Sequence, residues 1–166
     1  DTAVVLADLL GGGIAPGSTM FGYVVSPKHL LSTPPDQTFQ PEANAIAPVR
    51  IAFVTTGASA SASELVANSL EPYASLALVG ARTYGKPVGQ SGFALPSCDL
   101  LLGLIAFGLR NAQGDGEYFD GLPDAGGNFS GPLCDAADDL SQPMGDPLEA
   151  STAAASGLAG NGLTGW

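Results

Sequence analysis

The sequence predicts an α/β fold, and three runs of residues carry that expectation. The apolar run Ile51 to Val54 leads through a small-residue turn, Thr55 to Ala60, into an amphipathic helix from about Ser61 to Leu70. A second apolar run, Leu76 to Val79, follows after a short connection and is placed to return as a strand parallel to the first. The third run, Leu100 to Leu109, is nearly continuous in apolar residues and fits a strand in the interior of a sheet. Loops that leave two parallel strands at the same edge of a sheet are a usual place for chemistry. Here those loops are Thr55 to Ala60 and the segment around Gly85 and Lys86.

The remaining elements follow in order. Asp1-Thr2 caps a helix over Ala3 to Leu10 that Gly11 ends, and its apolar residues cover most of the circumference, which suits packing on a sheet. Met20 to Val25 reads as a short strand. Ser26 to Pro48 is polar and carries Pro27, Pro34, Pro35, Pro41 and Pro48, so a long surface excursion or an edge hairpin is expected. Gly92 to Ala94 is a further strand. Gly145 to Glu149 opens a last helix to about Ala155, and residues 156–166 read as a flexible tail. No internal repeat or composition break marks a second domain.

Composition narrows the function. At 166 residues, 45% hydrophobic and 13% charged, the chain can bury a core and is not of disordered type. A net charge of -11 argues against nucleic acid, whose phosphates demand Lys and Arg, and disfavours an anionic membrane surface. No uninterrupted apolar stretch reaches the ~18 residues that span a bilayer. The chain begins at Asp1 with no charged-then-apolar leader, so a signal peptide is expected to have been removed or to lie outside this sequence. Cys98 and Cys134 are the only cysteines and each lies beside loop signals. A disulfide between them would stabilise by roughly 3 to 4 kcal/mol in the chain-entropy view and would imply an oxidising compartment; the alternative is two buried thiols.

The candidate chemistry lies in Ser59-Ala60-Ser61-Ala62-Ser63-Glu64 and Thr83-Tyr84-Gly85-Lys86, with Gln90 beyond. A serine and a lysine suffice for nucleophilic catalysis when the amine is neutral and takes the hydroxyl proton. Such an amine must titrate near ~7 rather than ~10.4, a difference of about 4 kcal/mol between environments. Desolvation is the available device, with Leu78, Val79, Tyr84, Pro87 and Val88 at hand. It must outweigh the acidic balance of the chain, which favours the ammonium form. His29, the only histidine, has no spacing to Ser61 that suggests a base and is expected at the surface. Ser59 and Ser63 read as capping or packing neighbours, and Glu64 as a residue of the helix start without a chemical role.

These residues resemble the C-terminal processing, or tail-specific, peptidases. That family carries Ser-Ala-Ser-Ala-Ser-Glu, then Thr-Phe/Tyr-Gly-Lys, then a Gln four residues after the Lys. Its middle serine precedes the lysine by 25 residues, as Ser61 precedes Lys86. The resemblance implies Ser61 as nucleophile, Lys86 as general base, Gln90 as the group that positions the lysine, and the Ala62 N–H as one oxyanion donor. It implies a crotonase/Clp-protease-like core of strand-strand-helix units, with residues 1–155 as the C-terminal part of the catalytic domain. Cleavage of polypeptides that have a free C-terminus follows, with no cofactor or metal, in a periplasmic or otherwise extracytoplasmic setting. Non-catalytic ligand-binding relatives of the same fold, and an ester or amide hydrolase using the same dyad, are the alternatives.

Other features of the family are absent or looser. The PDZ module and the first half of the catalytic core lie outside the sequence, as does the Asn-Gly-Gly turn that supplies the second oxyanion donor. That turn is expected just before Asp1; Gly11-Gly12-Gly13 follows the helix instead and reads as a helix terminator. Some bacterial members share a segment echoed by Asn111, Gly114, Gly116, Tyr118, Gly121, Cys134, Asp138 and Asp139, which reads as structural. The acidic residues of Asn111 to Gly127 do not follow a calcium-loop spacing.

Overall fold

A computed structural model describes residues 2–25, 32–126, 129–137, 141–143, 146 and 148–160, with residues 159 and 160 described by backbone alone. His29, Asp138, Asp139, Gly145 and residues 161–166 lie outside this set. The elements are α1 (Thr2–Gly11), β1 (Thr19–Val25), β2 (Gln37–Thr38), β3 (Arg50–Thr55), α2 (Ala62–Leu70), β4 (Ser75–Gly80), β5 (Val88–Leu95), β6 (Leu100–Arg110), β7 (Leu133–Asp135) and α3 (Ala150–Gly160). The expected α/β architecture is present.

Among the described residues the strands form two sheets. β3, β4 and β7 form a parallel sheet in the order β3-β4-β7, with Ile51 opposite Leu76 and Val54 opposite Val79. α2 is the crossover between β3 and β4, so the strand-turn-helix-strand reading of residues 51–79 holds. The second sheet is antiparallel, in the order β2-β1-β6-β5.

The core gathers around α2. Leu65, Val66 and Leu70 of the helix meet Leu76 and Leu78 of β4, Met20 and Phe21 of β1, and Phe39, Tyr118 and Leu122 from loops. Phe39 is 0% exposed although it lies in the stretch expected at the surface. It follows edge strand β2 directly, packs edge-to-face on Tyr73 at 5.5 Å, and contributes about 1.5 to 3 kcal/mol by burial. α1 packs on α2 rather than on a sheet. Its buried positions are the small or short residues Ala3, Ala7, Asp8 and Gly11, while Val5 and Leu6 are exposed. Side chains at Gly11 and Gly12 would meet the Phe39 ring at 2.3 Å and the Gln40 carbonyl oxygen at 2.3 Å. The glycine run therefore serves close packing as well as helix termination.

Three expectations need correction. Leu100 to Ile105 do not lie in a sheet interior: each of the five large apolar side chains there is exposed, Leu101 by 74%. Among the described residues β1 pairs with β6 over Phe107 to Arg110, and residues 100–105 pair with β5. Cys98 and Cys134 are free thiols. Cys98 is exposed in the 3-10 turn Pro96–Cys98 that joins β5 to β6, and Cys134 lies on β7 in the other sheet. The last helix begins at Ala150 and runs to Gly160, past the boundary drawn at Ala155. The Glu149 carboxylate anchors it, accepting from Ser151 Oγ at 2.5 Å and from the Ser151 and Thr152 N–H groups at 2.9 and 2.7 Å.

Candidate active site

The turn after β3 is built from its own short side chains. Ser59 Oγ accepts from the Thr56 N–H at 3.0 Å, Thr56 Oγ1 accepts from the Ala58 N–H at 3.2 Å, and the Ser59 N–H returns to the Thr56 carbonyl at 2.9 Å. This loop delivers Ser61 at the threshold of α2 with φ 54° and ψ -106°. A residue other than glycine held there costs about 1 to 3 kcal/mol and persists only where its surroundings impose it. A strained serine between a strand and a helix is the geometry of a nucleophile elbow, which lifts the hydroxyl clear of the sheet. Ala62 is the first helical residue, so its N–H is among those with no intrahelical acceptor.

Glu64 imposes that geometry. It is 1% exposed, and both carboxylate oxygens are filled by donors. Oε2 accepts from the Ser61 N–H and the Lys86 N–H, each at 2.8 Å; Oε1 accepts from Thr83 Oγ1 and the Gly85 N–H, each at 2.6 Å. The backbone nitrogens of Ser61 and Lys86 therefore lie within twice 2.8 Å of each other. Thr83 continues the network, since its Oγ1 accepts from the Leu122 N–H at 2.7 Å. The Tyr84 N–H donates to the Ser59 carbonyl at 2.8 Å, a second tie between the two loops. Gly85 adopts φ +93°, where a side chain would meet the Phe119 carbonyl oxygen at 2.3 Å, so the loop needs glycine there on both counts.

The four residues singled out in the sequence converge unequally. Ser61, Ala62 and Gln90 line one open cavity of about 260 Å³. Lys86 joins them through its backbone and the Glu64 carboxylate, and its side chain is half-buried. Among the described residues Lys86 Nζ makes no hydrogen bond to Ser61 or Gln90. Of the apolar residues expected to desolvate it, Leu78, Val79 and Pro87 are buried but Tyr84 is 66% exposed. Tyr118 packs beside Glu64 with its hydroxyl buried; burial first, then the carboxylate charge, push that hydroxyl above its ordinary titration range. Among the described residues no group of His, Cys, Asp and Glu is placed to hold a metal ion, and no helix is long and apolar enough to cross a membrane.

Sequence reasoning missed the reach of Glu64 and the part of Thr83. The Ser-x-x-Glu spacing signals a capping box, and the Glu64 bond to the Ser61 N–H is half of one. What the spacing did not disclose is that the same carboxylate also holds a loop 19 to 22 residues further on.

Residues 11–119 match the profile of Peptidase family S41. Among solved structures, a candidate S41 protease of Bacteroides fragilis NCTC 9343 superposes with a TM-score of 0.77 at 25% identity, over 94% of this chain and 40% of that one. The photosystem II D1 C-terminal processing protease superposes with a TM-score of 0.56 at 18% identity, over 80% of this chain and 30% of that one, a likeness of fold. The chain thus spans less than half the length of either protein. No curated protein matches the chain.

Proposed function

Because the chain belongs to peptidase family S41, we propose that it is the C-terminal part of the catalytic domain of a serine endopeptidase that cleaves polypeptides near their C-termini. The observation that carries this reading is the single carboxylate oxygen that accepts from the backbone of both Ser61 and Lys86. Two side chains far apart in sequence are thereby held on adjacent loops, and positioning of this kind supplies much of what catalysis requires.

The reaction runs through an acyl-enzyme. Ser61 Oγ bonds to the scissile carbonyl carbon as its proton passes to Lys86 Nζ, and the carbonyl oxygen takes up the negative charge facing the Ala62 N–H. Collapse breaks the C–N bond, and the departing amine takes the proton from Lys86. Water then gives a proton to Lys86 and adds to the ester carbonyl; collapse breaks the C–Oγ bond and releases the carboxylic acid product, and Ser61 Oγ takes the proton back from Lys86. Gln90 orients the lysine. Substrate lying over the cavity completes the desolvation of a half-buried lysine, and catalytic hydrogen bonds commonly tighten only around bound substrate. The remaining oxyanion donor and a PDZ module belong, in this reading, to a larger parent protein in an extracytoplasmic setting. The two free cysteines lend that setting no support.

A fluorophosphonate tests the dyad in the parent protein. It should label Ser61, and Lys86→Ala should lose both labelling and peptide hydrolysis while keeping its thermal transition. Labelling of Lys86→Ala at the full rate would refute the assignment. Hydrolysis of esters but of no peptide would reassign the substrate.

A further inference from the structure

We propose that Asn68 is a positioning residue for the base: by holding the Asp115 carbonyl it fixes residues 115–122 as a strap behind the backbone of residues 83–85, and so sets the direction in which Lys86 leaves its loop. This rests on the peptidase reading above. Asn68 lies within the nine-residue helix α2 and is 3% exposed. An amide there is a poorer helix former than leucine or alanine, and it is costly to bury unless it is bonded. Its bond is long-range: Nδ2 donates to the Asp115 carbonyl oxygen at 2.9 Å. The same oxygen accepts from the Asn111 N–H at 2.8 Å, and Asn111 Oδ1 accepts from the N–H groups of Gln113 and Asp115, each at 2.9 Å. The start of the strap is thereby clasped to the helix that carries the nucleophile.

The far end of the strap is bonded to the lysine loop. The Thr83 N–H donates to the Leu122 carbonyl at 3.1 Å, and the Leu122 N–H returns to Thr83 Oγ1 at 2.7 Å. Tyr118 anchors the middle, 2% exposed in the same core as Leu65 and Leu122. Between these points the two backbones touch. A Cβ at Gly85 would lie 2.3 Å from the Phe119 carbonyl oxygen, and one at Gly121 would lie 2.0 Å from the Thr83 carbonyl oxygen. Helix α2 therefore holds the base loop in two places: Glu64 binds the Lys86 N–H directly, and Asn68, about one turn further along, acts through the strap. A loop held at one point can pivot about it. Two ties about 6 Å apart along the helix fix its tilt.

Peptide hydrolysis by the parent protein tests this, with the rate of Ser61 labelling by a fluorophosphonate as a second readout. Asn68→Leu, close in size but without the donor, should lower kcat by about tenfold or more and leave KM within about twofold, since displacing a reacting group by about 1 Å can cost a hundredfold. Labelling should slow by the same factor. Phe39→Leu, a core substitution against Tyr73 and Gly11, should lower the thermal midpoint and leave kcat unchanged, which separates positioning from lost stability. Gly121→Ala, which forces the strap off the Thr83 carbonyl, should repeat the loss of kcat should Asn68→Leu not fold. An unmoved kcat in the folded variants would overturn the positioning role and leave the dyad standing. Unlabelled Ser61 and uncleaved peptide in the unsubstituted protein would overturn the dyad, and the role of Asn68 with it.

Discussion

The backbone N–H groups of Ser61 and Lys86 donate to the same atom, Glu64 Oε2, each at 2.8 Å. Two loops that leave neighbouring parallel strands are thus fixed to one another by a residue that is neither nucleophile nor base.

Glu64→Gln should uncouple them. The amide offers one acceptor oxygen in place of two and introduces donors facing donors, stranding buried N–H groups at about 1 to 3 kcal/mol each. Hydrolysis by the parent protein should fall at least a hundredfold with a lower denaturation midpoint. Glu64→Asp, which keeps the charge but shortens the reach, should recover less than a tenth of the activity.

Thr83→Val should lower stability by about 2 kcal/mol, because it removes the donor to Glu64 Oε1 and the acceptor of the Leu122 N–H at constant volume. Thr83→Ser should restore most of that loss, as read by urea unfolding. Equal midpoints for the two variants would show that the hydroxyl carries no weight there.

Ser61→Gly should be more stable than Ser61→Ala by about 1 kcal/mol, since φ 54° is free for glycine and strained for alanine. Both variants should be inactive. Differential scanning of the pair measures the strain at the elbow directly.

Glu149 gives α3 a pH dependence. The Ser151 hydroxyl first, with the Ser151 and Thr152 N–H groups, holds the carboxyl down from 4.5 to about 2. A folded-state value below the unfolded one contributes stability that is complete above pH 4.5 and is lost as the pH falls towards 2. Glu149→Gln should flatten this part of the stability profile. An unchanged profile between pH 5 and 2 would remove Glu149 from the account.

How much was legible depended on how local each signal was. The β3-α2-β4 unit follows from apolar runs bounded by small residues and could be read directly, whereas the pairing of Ser61 with Lys86 was expected from the spacing of a family resemblance, and the structure adds the shared carboxylate between their backbones. Phe39 could not, because its neighbours are polar or proline and no periodicity marks it as core. Leu100 to Ile105 misled for a different reason: an apolar run records that a strand forms, not how far its neighbours extend along it, and among the described residues β1 pairs with β6 no further than Phe107. Cys98 and Cys134 both border loops, but one lies in the turn between β5 and β6 and the other on β7 of the parallel sheet, a matter of topology rather than of sequence context. Only the Glu64 bond to Ser61 is local; the other three donors are brought in by the return of β4.

The outer part of the β5-β6 ribbon, with Leu101, Leu102, Leu104 and Ile105 facing water, also governs how the isolated chain behaves in a tube. A long apolar edge of this kind invites neighbouring molecules to stack upon it, and a net charge of -11 is what keeps them apart. Since electrolyte shortens the range of that repulsion to about 8 Å at physiological strength, scattered light should stay low in dilute buffer and climb as sodium chloride is added.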